Sequence, residues 1–155
     1  MRVSELKSAV QNIVKEAARL KDKHTAEKTA HVNYTCIFSQ DQREYESLIE
    51  AVRQLGGKVR RETPTGPLFE IAPLTTESGK LRLLKIRIPD RTRPERGDAD
   101  FTVADYGSFK GKYLSKPGFK LIERPEMEMI ELMDGAFNVR AYFSNPPLDK
   151  QLGLA

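Results

Sequence analysis

The chain has 155 residues, 39% hydrophobic and 31% charged, a balance that fits one folded domain and excludes a disordered or fibrous chain. Its 26 basic and 22 acidic residues leave a net charge of +4 but are mixed along the sequence, whereas a nucleic-acid binder gathers basic residues on one face. One cysteine makes no internal disulfide, no apolar run is long enough to cross a bilayer, and the N-terminus lacks the apolar stretch of a secretion signal. A soluble cytoplasmic protein with neither nucleic-acid nor membrane partners is the expectation.

Apolar residues at helical spacing open the chain: Val3, Leu6, Val10, Ile13, Val14, Ala17 and Leu20. They predict an N-terminal helix that lies on a body supplied by the rest of the chain, with a polar linker to residue 29. A strand then reads from Ala30 to Phe38. Alternation places Val32, Tyr34, Cys36 and Phe38 on an apolar face, with His31, Asn33 and Thr35 on the polar one. Ser39 and Gln42 form a capping box for a second helix carrying Tyr45, Leu48, Ile49, Val52 and Leu55, which Gly56-Gly57 ends. Strands follow at Lys58–Thr63, Leu68–Ala72 and Leu81–Ile88, separated by turns at Pro64–Pro67 and Ser78-Gly79.

After a loop from Pro89 to Gly97 the same order returns. Asp98–Val103 is a strand with Asp98, Asp100 and Thr102 on its polar side, and Asp105 caps a short helix carrying Tyr106, Phe109 and Tyr113. Strands at Phe119–Arg124, Glu126–Met133 and Val139–Phe143 complete the second half. Gly57-Lys58-Val59 and Gly118-Phe119-Lys120 occupy corresponding exits from the two helices. The fold class is therefore α+β: two βαβββ modules, at about 30–89 and 97–145, forming a curved, cup-like mixed sheet behind an extra N-terminal helix. Residues 1–29 form the helix and linker, and 30–155 the two-module domain. Helices take one face of such a sheet, so the polar faces turn into water or into a hollow enclosed between the modules, and two half-barrels with His31 and Asp100 at matching positions would make such a hollow.

Several short strings resemble the vicinal oxygen chelate superfamily, which includes glyoxalases and extradiol dioxygenases, and within it the uncharacterised YecM-type proteins. They are His31 at the start of the first strand, Arg61–Ile71, Leu84–Pro89, and the run from Pro94 through Gly97 into Asp98–Val103. That resemblance implies a divalent metal (Zn, Mn, Fe or Ni) in the cup. His31 and Asp100 match the first-strand ligand positions, with Glu131, on the strand before the closing one, as the nearest substitute for the third ligand. The closing strands offer Lys85, Arg87, Arg140 and Tyr142 where the family places a glutamate, and cations beside a metal oppose its binding.

Two functions follow. In one, His31, Asp100 and Glu131 hold a metal that acts as Lewis acid for isomerase, lyase or oxygenase chemistry on a small oxygen-rich substrate. In the other, the cup is a non-catalytic binding module: Lys85, Arg87 and Arg140 hold a small anion, and His31, Asn33, Thr35 and Tyr142 supply hydrogen bonds. Each residue also has a structural reading, His31 as a bonded strand residue and Asp100 as an ion-pair partner of Arg87 or Arg140. Cys36 reads as core, no Walker or GxGxxG loop calls for a nucleotide cofactor, and two modules in one chain permit a monomer or a homodimer.

Overall fold

The computed structural model describes residues 1–154. The first element is α1 (Val3–His24), whose apolar stripe buries Leu6, Val10, Ile13, Val14, Ala17 and Leu20 completely or nearly so. It ends at Thr25, where the backbone turns extended and both the amide and the hydroxyl donate to the Lys21 carbonyl, at 2.8 and 2.9 Å. Lys21 itself is buried. Its ammonium is held at 2.6 Å by both Asp22 and the Glu27 carbonyl and lies 5.3 Å from the centre of the Phe101 ring. An opposite charge, a carbonyl and an aromatic face offset the cost of removing that charge from water.

The first module is β1 (His31–Phe38), α2 (Gln42–Leu55), β2 (Lys58–Thr63), β3 (Gly66–Thr76) and β4 (Gly79–Arg87). The second is β5 (Gly97–Thr102), α3 (Tyr106–Tyr113), β6 (Phe119–Glu123), β7 (Glu128–Leu132) and β8 (Val139–Asn145), followed by the short α4 (Leu148–Gln151). All eight strands form one mixed sheet in the order β2-β3-β4-β1-β5-β8-β7-β6. Each module contains one parallel pair, β1 with β4 and β5 with β8, and the modules meet along the antiparallel pair β1–β5. The α+β, two-module architecture read from the sequence is the architecture found. The helix starts are local. Asp41, rather than Ser39, caps α2 by accepting from the Glu44 amide at 2.8 Å, and Asp105 caps α3 by accepting from the Ser108 amide at 3.0 Å. Gly56, with φ 94°, ends α2 in a left-handed conformation that side chains disfavour.

Register fixes which side chains share a face. Tyr34 pairs with Asp100 and Cys36 with Asp98, whereas Thr35 pairs with Ala99, Ile37 with Gly97 and Val32 with Phe101. Val32, Ile37, Ala99 and Phe101 belong to the core under the helices, so Tyr34, Cys36, Asp98 and Asp100 lie on the opposite, open face. A register shift between Val32 and Tyr34 inserts an extra residue. It is why simple alternation fails along β1: the bulge puts both Asn33 and Tyr34 on the open side. Thr35, expected to face the cup, is instead fully buried on the helix side.

The core is a single layer between the sheet and the helices. It joins α1, α2 and α3 to the inner residues of β1, β3, β4, β5, β7 and β8. Far from being an appendage, α1 crosses the module seam, packing on β8, β5, β1 and β3 as well as on α2. Leu6→Ala and Val14→Ala should each lower unfolding free energy by about 2–4 kcal/mol in urea titrations, because both sites are closed on all sides. A loss under 0.5 kcal/mol, about what an exposed site gives, would show that the helix adds nothing to the core.

Candidate functional site

The open face encloses a hollow. Thr63 and Pro64, at the β2–β3 hairpin, line the same cavity of about 430 Å³ as Ile122 and Arg124 from the β6 end, although β2 and β6 are the two outermost strands. The sheet is therefore rolled until its edges face each other, and its central strands form the floor. A second space of about 390 Å³ adjoins the first, sharing Tyr34, Lys85, Asp100 and Arg124, and is closed by Leu148 and Gln151 of α4.

Two rows of cross-strand partners make that floor. One runs Lys85, Cys36, Asp98, Arg140 across β4, β1, β5 and β8; the next runs Tyr34, Asp100, Tyr142, Glu131 across β1, β5, β8 and β7. Burial raises Asp100 to about 6, against hydrogen bonds from Ser144 and Asn33 that favour its charged form. The Ser144 hydroxyl and amide and the Asn33 amide all donate to it, the last at 3.4 Å. Asp98 has no such support: burial, then the neighbouring Asp100, push it up to about 7, while Arg93, Lys85 and Arg87 pull it down. Its Oδ1 is buried without a hydrogen-bond partner. Burial also raises the Cys36 thiol and the Tyr34 and Tyr142 phenols, so none of them is an activated nucleophile.

The three residues expected to hold a metal do not come together. Asp100 lies on the floor, spoken for by Ser144 and Asn33. Glu131 accepts from the Tyr142 hydroxyl at 2.6 Å and from Arg140 at 3.2 Å. His31 shares the open face but lies in a separate cavity with Lys80, Arg82 and Thr102, two pairings beyond Asp100. Its Nδ1 is 2.8 Å from the Val32 carbonyl, and its Nε2 edge rests against Gly79, where a built Cβ would come within 2.0 Å of that nitrogen. Gly79 has φ 104°, so the turn favours glycine for its backbone, and the imidazole lies in the space a side chain there would enter. Among the described residues no group of three His, Cys, Asp or Glu side chains is placed to hold an ion. This donor arrangement does not fit a metal centre.

The residues expected to hold an anion divide. Lys85, Arg87 and Tyr142 line the cup. Arg140 is consumed by Glu95 at 3.0 Å, Glu131 and the Thr92 carbonyl at 3.2 Å, so it braces the β4–β5 loop. Asn33 joins Thr102 at 3.0 Å to Asp100, and Thr35 is on the far side of the sheet. Sequence reasoning missed Arg93, Arg124 and Arg61. Arg93 comes from the irregular loop, donates to the Tyr142 hydroxyl at 3.2 Å and lies over Phe38; Arg124 and Arg61 come from the strands at the two sheet edges. Only the rolled sheet brings Arg61 and Arg124 to one cavity.

No protein-family model matches this sequence, and no curated protein matches it. Solved structures with a similar chain path include a glyoxalase/bleomycin resistance protein/dioxygenase superfamily member from Vibrio splendidus 12B01, 13% identical, with a TM-score of 0.46 over 75% of this chain and 98% of that one. Methylmalonyl-CoA epimerase from Streptomyces coelicolor, in complex with 2-nitronate-propionyl-CoA, is 13% identical, with a TM-score of 0.49 over 75% and 96%. The epimerase from Mycobacterium tuberculosis is 11% identical, with a TM-score of 0.44 over 77% and 91%. None of these likenesses transfers a residue role to this chain. No helix among the described residues is long and apolar enough to cross a membrane.

The raised acids have a consequence for stability. Between the ordinary value near 3.8 and the folded value near 7, folded Asp98 keeps a proton that the unfolded chain has released. Its contribution is therefore full at low pH and is lost as pH rises through about 7; Asp100 acts in the same direction up to about pH 6. Thermal melts should show Asp98→Asn gaining on the wild type as pH rises from about 5 to 8. A constant difference across that range would contradict the assignment.

Proposed function

We propose that the cup binds a small anionic metabolite bearing carboxylate or phosphate groups. The observation that carries this reading is the surplus of cations in the hollow. Lys85, Arg93, Arg124 and Arg61 line it, and among the described residues none is ion-paired with a carboxylate; their own bonds run to the Thr65 hydroxyl, the Tyr142 hydroxyl and the Glu123 carbonyl. Arg87 is paired with Asp90 at 3.3 Å through one nitrogen, while its Nε has no partner. Burial lowers the Lys85 ammonium, the mark of a charge held in a partly dry place that a bound anion would relieve. Positive side chains around a concave wall focus the field and draw an anion in.

The geometry that supports binding gives the metal-dependent reading no comparable donor set, so no reaction step is assigned. Both modules that form the cup lie in one chain, so the proposal holds for a monomer or a homodimer alike. A cytoplasmic location belongs to the same proposal, since small phosphorylated and carboxylated metabolites are abundant there.

The test is a calorimetric and thermal-melt screen of small carboxylates and phosphate esters, with chloride at matched ionic strength as the control. At least one class should bind the wild type, and Lys85→Met and Arg87→Ala should each weaken it by about tenfold or more, the worth of a charged hydrogen bond in a shielded site. A protein that ignores every anion, or variants that bind as well as the wild type, would end the proposal.

A further inference from the structure

The surplus of cations explains attraction to an anion; it does not explain Asp98. This carboxyl is buried, lines the same cavity as Lys85, Arg87 and Arg93, and forms an ion pair with none of them. Its neighbour in register, Arg140, turns away to Glu95 and Glu131. Cys36, its partner on the other side, bonds to the Ile37 carbonyl at 3.8 Å. A buried acceptor without a donor costs free energy, and such groups in a cavity wall are usually completed by what occupies the cavity.

From this we infer that Asp98 selects the ligand: the cup takes anions that also carry a hydrogen-bond donor, a hydroxyl or amine one carbon from the acid group, in preference to otherwise identical anions lacking it. The inference rests on the anion-binding reading above and names its substrate class. In either protonation state the Asp98 carboxyl retains an oxygen that accepts, so the selection does not depend on its charge. A plain carboxylate or phosphate seated on Lys85 and Arg87 leaves that oxygen unsatisfied. A hydroxy acid places its acid group on the cations and its O–H on Asp98, satisfying both. An amino acid offers a stronger donor, but its ammonium must come close to Lys85, Arg87 and Arg93, so the hydroxyl is the better match. The unpartnered Nε of Arg87 is the complementary donor, awaiting an acceptor. Discrimination of this kind is steep, because the wrong ligand leaves a buried polar group unpaired.

Three four-carbon dicarboxylates that differ only at the second carbon separate the possibilities: succinate with hydrogen, malate (both enantiomers) with hydroxyl, and aspartate with ammonium. Calorimetric titration of the wild type should give one malate enantiomer about tenfold tighter binding than succinate, with aspartate in between. Asp98→Ala, and the bulkier Asp98→Leu as a variant that keeps the space filled, should bring malate to the affinity of succinate without weakening succinate. Thermal melts establish that each variant is folded. Succinate binding as tightly as malate, or a malate preference that survives in a folded Asp98 variant, overturns the selection and leaves the anion-binding reading intact. If none of the three binds, the selection falls, and the anion-binding reading falls with it only when the wider anion screen is also empty.

Discussion

The antiparallel seam between β1 and β5 is the constraint from which the rest follows. Among the described residues it is the only strand pairing between the two modules, and its register decides which residues of each half meet. Tyr34 against Asp100 and Cys36 against Asp98 set the floor of the cup; Val32 against Phe101 and Thr35 against Ala99 set the roof of the core. Slipping the seam by one residue would exchange these two sets, burying carboxylates under the helices and exposing Phe101. The α1 helix lies across the seam on the core side, with Lys21 over Phe101, and so fastens the pairing from behind.

On that fixed floor, charge is sorted by how much support each group receives. Asp100 and Glu131 are satisfied by neighbours and Arg140 by two glutamates, so these three hold the structure together. Lys85, Arg93 and Asp98 receive less than their chemistry requires. The difference separates framework from reactive surface better than residue type does, since both groups contain acids and bases.

Much of this is legible in the sequence. The repeated strand–helix–strand pattern gave both modules, and Leu84, Ile86 and their alternation turned Lys85 and Arg87 towards the hollow. What failed did so for identifiable reasons. The bulge at Val32/Tyr34 shifts the period of β1, so Thr35 points the wrong way and Tyr34 enters the cup. Arg93 lies in a loop without periodicity. Arg61 and Arg124 stand far apart in the sheet order and converge only because the sheet rolls. A family resemblance supplied ligand positions but could not supply the hydrogen bonds that already occupy Asp100 and Glu131.

The contact between His31 and Gly79 reaches beyond either residue. The imidazole fills the space where a side chain at residue 79 would begin, so the first rung of β1 and the tip of the β3–β4 hairpin are interlocked. A side chain at residue 79 would have to push the exposed imidazole aside and also adopt the turn's left-handed backbone, and of these two demands the backbone is the firmer. Packing on the hairpin tip gives the imidazole a structural place at the start of that strand without assigning it any chemistry.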